Sequence, residues 1–562
     1  MAVLLEENMR ILALLQPELS AALASIEPVE EFSENQDEAT LADAQPAGPH
    51  LVVMLGVDSP KRLLSALALA GAYSLIVIDH RPDVLKACLR DCRLAEPLLE
   101  GRLEFHLLAL GNALAQELSL RDTIARLMVP LRQGLSIAWI LAPHLLPPYG
   151  VLADGLRMCA GHTLQLAQAP RGHAPVWDVT VISPYCAIFD DLARCFAGLG
   201  LRTRVFRVPD KAQKWTFGDK LKAIEQLRLE PSRLLIGRNR TLFETERVGD
   251  PVMPEQWLGH DYVAWWWDVP NPASFVDFHM PLLSGVHHLA FAHALMPILP
   301  PLTQWVPAGA RPQFVEIAED EHPNRTIPVS FVGQTRLEAT YQNWLEIRQL
   351  LNGLGVRHTL PDLQPAIGPS AALKHLLNSK PDLQIIIERI RAGFPAQAYF
   401  LDYSLRMCET GLFRMAAIET LLQSGVALQI WGDEGWLNVP GVTADHFRGI
   451  LEPDQLARVY RQSQVNLNLN YMQVASTVNP KVLDVCAAGG LVITDERPEL
   501  AVIYPDAATR PLAFRTLEEL PELVELALHT DLDAYRRRVQ QHTRKQHTLM
   551  QRAEWLARRF AL

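Results

Sequence analysis

The sequence is poor in cysteine, with seven in 562 residues. That is too few for a disulfide framework. Only Cys88 and Cys92 lie close together, inside a helical pattern, and they read as two reduced core thiols. No cysteine–histidine group has the spacing of a zinc site. No segment approaches the roughly 18 unbroken apolar residues of a membrane span. The opening stretch, MAVLLEENMRILALLQPELSAAL, has early acidic residues and no basic start, so it does not read as an export signal. A soluble, cytoplasmic chain without a transmembrane segment is the expectation. Positive charge is also in short supply: 52 Lys and Arg face 63 Asp and Glu, for a net charge of −11. A general nucleic-acid binder is excluded on that balance.

What is present is ordinary for a globular protein. Hydrophobic residues make up 49%, charged residues 20% and aromatics 7%, which excludes wholesale disorder. The length predicts about three to five domains.

Along the chain, residues 1–26 are helical in period, and 28–48 are acidic and apolar-poor, as in a linker or exposed loop. At His50 the pattern changes to short apolar runs separated by helical stretches. Strands are expected at 50–56, 74–79, 103–110 and 135–141, with a helix at 60–72 between the first two. Such alternation builds a parallel sheet. A turn at 169–172 closes this series. A second begins at Val176, with strands at 177–183, 202–207, 233–237, 262–267 and 286–291. A third begins at Ile327, with strands at 328–333, 426–431, 465–469 and 490–495; residues 368–424 read as mostly helical, and everything after Asp495 as helical to Leu562. The expected divisions are 1–49 (helix and acidic linker), 50–172 (an accessory Rossmann-like α/β domain), 173–326 and 327–562.

The stretch Ser476–Asp495 carries the most chemistry: loop, helix start, short helix, Gly-Gly turn, strand. A helix N-terminus presents free backbone N–H groups and partial positive charge, which suits a diphosphate. Asn479 precedes that helix, Lys481 adds a full charge in its first turn, and Asp484 follows on the same face, where a carboxylate can accept the two hydroxyls of a ribose. Gly489 and Gly490 let the next strand start close to the helix. The alternative is an amphipathic helix with a solvated Lys–Asp pair and a structural C-cap. Gly333, followed by Gln334, ends a strand and allows close backbone approach to a phosphate; a plain turn would look the same. Trp431 and Gly432 end another strand at the sheet edge where α/β proteins bind ligands, either walling a base or sugar pocket or packing the core.

From Tyr262 to about Asp506 the chain resembles the CgeB-like (spore-maturation-type) glycosyltransferases. The resemblance rests on YVAWWWDVPNP (262–272), WVPAGARP (305–312), VSFVGQTR (329–336), LQIWGDEGW (428–436) and NPKVLDVCAAGGLVITDERPEL (479–500). It implies a GT-B fold over residues 176–562: two Rossmann-like domains facing each other across a cleft, with the donor nucleotide sugar mainly on the C-terminal one. Lys481 would then meet the donor diphosphate and Asp484 the ribose, in place of the commoner Arg and Glu. Arg238 follows the strand at 233–237 and could neutralise phosphate, or simply sit on the surface. An inverting reaction would need a base from the N-terminal half, Asp268 first and Asp190 second. His287 and His288 are expected to be structural. The tryptophans 265–267 would stack on sugar or pack the core.

The resemblance implies a metal-independent transferase with no cofactor beyond its nucleotide-diphosphate-sugar donor. The absence of an Asp-X-Asp between strand and loop in the two cleft halves agrees with that. The acceptor would be a protein or a cell-surface glycan; a homo-oligomer is left open. Residues 50–170 faintly resemble the Rossmann-like part of motility-associated-factor flagellin glycosyltransferases. Their Leu55–Ser59 loop and Asp79 could hold a nucleotide or S-adenosylmethionine, although only Gly56 stands where a fingerprint needs three glycines. Two rivals remain: a binding protein on a decayed transferase fold, and a methyltransferase in the first α/β unit.

Overall fold

In the computed structural model of the chain, the structure describes residues 2–28, 50–57, 59–79, 81–107, 136–141, 174–184, 186–208, 217–239, 261–267, 286–299, 302–317, 324–353, 368–393 and 395–562. The acidic stretch beyond residue 28, the 169–172 turn and Asp268 lie outside the described residues.

Three parallel sheets form from the three apolar series, giving the α/β class expected from the sequence. The first is assembled from β1 (His50–Leu55), β2 (Leu75–Asp79), β3 (Leu103–Leu107) and β4 (Ser136–Leu141), in the order β3-β2-β1-β4. Every residue of β2 is buried, as the strands of a parallel sheet covered on both faces require. Around this sheet lie α1 (Ala2–Leu15), α2 (Pro17–Ala24), α3 (Pro60–Ala70), α4 (Pro82–Asp91) and α5 (Ala95–Leu99). Ser59 caps α3, its hydroxyl accepting from the Arg62 amide at 3.2 Å, and Pro60 supplies the fixed φ of a first helical turn.

The second sheet contains β5 (Trp177–Ser183), β6 (Thr203–Arg207), β7 (Ser232–Arg238), β8 (Asp261–Trp266), β9 (Val286–Ala290) and β10 (Gln304–Trp305), ordered β10-β9-β8-β7-β5-β6. Its helices are α6 (Ala187–Gly198), α7 (Phe217–Leu229) and the short α8 (Pro312–Val315). The third contains β11 (Ile327–Val332), β12 (Leu428–Trp431), β13 (Ser463–Asn468), β14 (Val492–Asp495) and β15 (Leu512–Phe514), ordered β12-β11-β13-β14-β15. Helices α9 (Leu337–Gly353), α10 (Pro369–Gly393) and α11 (Pro395–Gln423) form a layer between β11 and β12. Then come α12 (Leu456–Gln462), α13 (Pro480–Ala487), α14 (Pro498–Ile503), α15 (Glu519–His529), α16 (Asp533–Gln546) and α17 (Leu549–Arg559). The all-helical reading after Asp495 is corrected by β15. Its three residues show no period of their own and become a strand only by pairing in parallel with β14.

The core of the second sheet runs on into the helices of the third series, with Trp265 and Phe314 in the same buried cluster as Val482, Tyr504 and Leu556, while most of the third sheet packs in a separate cluster with α9, α10 and α11. Polar contacts cross the same boundary. Glu499, 1% exposed, accepts from the His293 amide at 2.6 Å and from Trp305 Nε1 at 3.0 Å. The Ala294 amide donates to Ser476 Oγ at 2.8 Å. At its end the chain turns back: α17 packs on α6. The Ala310 amide donates to His547 O at 2.7 Å, and the Leu549 amide donates to Ala310 O at 2.8 Å. This crossing leaves no room for a side chain at Gly309, whose added Cβ would lie 2.5 Å from the backbone at Thr548 and Leu549.

Candidate functional site

The loops at the C-terminal ends of β11, β12, β13 and β14 converge on one edge of the third sheet. Two of them touch directly. The Gly333 amide donates to Trp431 O at 2.8 Å, and Trp436 Nε1 donates to Gly333 O at 2.7 Å. Asp433 accepts from the Thr335 amide at 2.8 Å and from the Thr335 hydroxyl at 2.5 Å. The turn Gly333–Gln334–Thr335 is thereby fixed from three sides. Gly432 is required by the approach: a Cβ there would lie 2.1 Å from Gly333 O.

The N-terminus of α13 arrives beside this turn. Asn479 is the residue before the helix, and its amide donates to Asn470 Oδ1 at 2.8 Å. Lys481 Nζ donates to Val332 O and lies 5.5 Å from the centre of the Phe331 ring. Part of its side-chain surface stays open, but the ammonium is deep in the molecule. Burial, with Arg414 adding to it and Asp484 opposing it, pushes its pKa from 10.5 down to about 7.

Asp484, 2% exposed, meets Arg311 of the second half. The Arg311 amide donates to Oδ1 and Nε to Oδ2, each at 2.9 Å. The guanidinium is itself mostly buried. Burial is the largest influence on Asp484 and raises its pKa to about 6, against the lowering effect of Arg311. Both carboxylate oxygens are occupied, so a ribose reaching Asp484 would have to displace Arg311. Gly489 has φ +87 and closes the far end of the helix against Gln540.

The Lys481 value has a consequence for stability. Between pH 7 and 10.5 the unfolded chain holds a proton on this lysine that the folded chain has released. Stability therefore rises with pH across that window. Between pH 7 and 9 the wild type should gain about 2 kcal/mol relative to Lys481→Met, read from urea denaturation at each pH. Parallel curves for the two proteins would show that the ammonium is not held in a buried, desolvated position.

The other expected residues fall elsewhere. Trp431 is 9% exposed and packs with Ile327 and Val459 in a small apolar cluster. Trp265, Trp266 and Trp267 are all buried in the core of the second sheet. Asp190, in the first turn of α6, accepts from Ser183 Oγ at 2.8 Å and from Arg207 at 2.5 Å. Arg238 ends β7 and is half-buried. His288 Nδ1 accepts from Trp266 Nε1 at 3.1 Å, and His287 lies against Phe560. Thus Gly333, Gln334, Trp431, Gly432, Asn479 and Lys481 are brought to one edge, and Asp190 and Arg238 belong to the second sheet.

A group of residues not singled out in the sequence joins that edge. Arg414, from α11, is 3% exposed, lies 4.3 Å from the centre of the Tyr471 ring and donates to Gln334 O and Leu469 O, each at 3.3 Å. Arg336 lies 5.5 Å from the same ring. Arg497 pairs with Asp495 at 2.5 Å and donates to Ala475 O at 3.1 Å. The available signal was a lone arginine in the apolar run Gly411–Ile418, where a buried charge needs a reason.

In the first sheet, Asp79 is fully buried. It accepts from the Val57 amide at 2.6 Å, from the Arg81 amide at 2.9 Å and from the Arg81 guanidinium. The acid that could have held a cofactor ribose is committed to its own loop. Among the described residues no three His, Cys, Asp or Glu side chains converge as metal ligands. No described helix is long and apolar enough to cross a membrane.

Residues 414–558 match a family model described as "Glycosyl transferase-like". No curated protein matches the chain. Similar solved structures include the T4 phage enzyme BGT in complex with its UDP-glucose substrate, at 10% identity, covering 68% of this chain and 99% of that one, TM-score 0.39. AviGT4, a glycosyltransferase involved in avilamycin A biosynthesis, is similar at 11% identity over 68% of this chain and 97% of its own, TM-score 0.38. The glycosyltransferase SnogD from Streptomyces nogalater is similar at 11% identity over 69% and 100%, TM-score 0.34.

Proposed function

We propose that the chain is a glycosyltransferase that binds a nucleotide-diphosphate sugar at the C-terminal edge of the third sheet, with the second and third sheets forming a GT-B pair. The observation that carries this reading is the meeting of the fixed Gly333–Thr335 turn with the N-terminus of α13, the latter inside the segment that matches the glycosyl transferase-like model. A tight glycine turn beside a helix N-terminus is a place where backbone N–H groups meet phosphate. The acceptor, a protein or cell-surface glycan, would approach from the second sheet, and Asp268 or Asp190 would serve as base there. Fixed positive charge would stabilise the leaving diphosphate.

The purified protein should be warmed in the presence of UDP-, GDP- and dTDP-sugars, with a CMP-sugar as the monophosphate control. At least one diphosphate donor is expected to raise the melting temperature and to be slowly hydrolysed, releasing its nucleoside diphosphate. The engagement of Asp484 by Arg311 and of Lys481 by Val332 O favours a second reading, a non-catalytic binding protein. Donor binding without turnover in the presence of acceptor extracts would select it. No binding of any donor would overturn both.

A further inference from the structure

Charge around the segment Asn470–Ala475 does not balance. Arg336, Arg414 and Arg497 gather against Tyr471, Met472 and Ala475. Among the described residues the carboxylate facing them is Asp495, paired directly with Arg497 and felt more distantly by Arg414, while the neighbouring Arg406, which reaches Met472 O, is balanced by its own pair with Asp402. Arg336 instead meets Met407 Sδ at 3.8 Å, and its backbone is held at φ 59, the left-handed region that non-glycine residues seldom adopt.

Polar atoms here also lack partners. Arg414 Nε, Arg497 Nε, Gln473 Oε1 and Asn479 Oδ1 are buried without a hydrogen bond, in side chains that are 3%, 7%, 8% and 8% exposed. A buried guanidinium with an unmet N–H is costly unless a ligand or anion completes it. Arginine forks match phosphate oxygens in pairs, whereas an ammonium acts as a point charge. Lys481 is already committed to a main-chain carbonyl at the same edge.

We infer that Arg336, Arg414 and Arg497 hold the diphosphate of the ligand, with Tyr471 as the surface that positions the first two, and that Lys481 secures the Gly333 turn rather than the phosphates. This places the phosphate charge within the site of the proposed transferase and rests on that reading only for the nucleoside and sugar attached. The ligand chemistry is a diphosphate, whether inorganic or carried by a nucleoside.

Arg336→Gln is the principal test, because Arg336 is the least buried of the three. Arg414→Gln and Arg497→Lys follow, each checked for folding by its urea midpoint. Inorganic pyrophosphate, UDP, GDP and dTDP, with uridine as the phosphate-free control, are titrated calorimetrically. Pyrophosphate and at least one nucleoside diphosphate should bind the wild type, weaken at least tenfold in Arg336→Gln and weaken further as salt is raised. As a charge-loss control, Lys374→Met, at an exposed position of α10, should keep the wild-type affinity for pyrophosphate within about threefold. If pyrophosphate binding is lost in the arginine variants but no nucleotide sugar binds or turns over, the anion site stands and the transferase reading fails. If nucleotide sugars bind wild type and Arg336→Gln equally, the transferase reading stands and this inference fails. No binding of pyrophosphate to the folded wild type also overturns it.

Discussion

Replacing Arg311 by methionine should lower the stability of the protein by about 3–5 kcal/mol at pH 7.5, the usual cost of stripping the partner from a buried ion pair. The reason is specific. Asp484 is enclosed at 2% exposure, and its two oxygens take the amide and the guanidinium of Arg311. Without the guanidinium the carboxylate must stay charged and uncompensated or take up a proton, and its pKa already stands at about 6 because of burial. Urea denaturation reads the loss. The double variant Arg311→Met/Asp484→Leu should recover most of it, since an apolar pair of similar volume replaces a buried ion pair at little cost. Asp191 lies near enough to influence Asp484, is itself buried and has its pKa raised by burial. Removal of Arg311 therefore leaves Asp484 without a cation beside Asp191, which keeps its own pair with Arg194 at 3.0 Å. A variant of unchanged stability would mean that the pair is open to solvent and that the two halves are not joined there.

On the proposed transferase reading, Gly432→Ala should lower donor turnover by at least about 100-fold, while costing about 1–3 kcal/mol of stability. The added methyl would sit 2.1 Å from Gly333 O and 2.8 Å from Trp436 Nε1. The carbonyl belongs to the backbone, so the clash is relieved only by moving the Gly333 turn and breaking the hydrogen bond from Trp436. A displacement of about 1 Å in a positioning element costs on the order of 100-fold in rate. The comparison is Gly425→Ala. Gly425 has φ +81 and open space around its missing Cβ, so it should lose about 1 kcal/mol from backbone strain alone and keep its turnover. Equal turnover in Gly432→Ala and wild type, measured as nucleoside diphosphate released, would remove the turn from the site.

Much of the fold is legible in the residues. The run Leu75–Asp79 is continuous and apolar because a parallel strand covered on both faces needs no polar side, and it is fully buried. The break at Gly489–Gly490 is visible because only glycine permits φ +87 and the close approach to Tyr460 O. The strand β15 was hidden because three residues carry no period; its existence depends on a neighbour about twenty positions earlier.

The candidate site divides in the same way. Gly333, Gly432, Asn479 and Lys481 stand at strand ends or at a helix start, positions that local pattern alone marks, and they meet on one sheet edge. Their partners could not be read in that way. Asp484 and Lys481 share a helix face, yet Asp484 turns to Arg311, which lies 173 positions earlier, and Lys481 to a carbonyl 149 positions earlier. Arg414 and Arg336 come together on Tyr471 only because α11 packs beside the third sheet. The sequence by itself determined three α/β series, the ends of their strands and a helix start suited to phosphate, because those follow from spacing within a few residues. Which charges are buried together was decided by the tertiary structure alone. Burial and long-range pairing set the state of Lys481 and Asp484, and neither quantity exists until the sheets have packed.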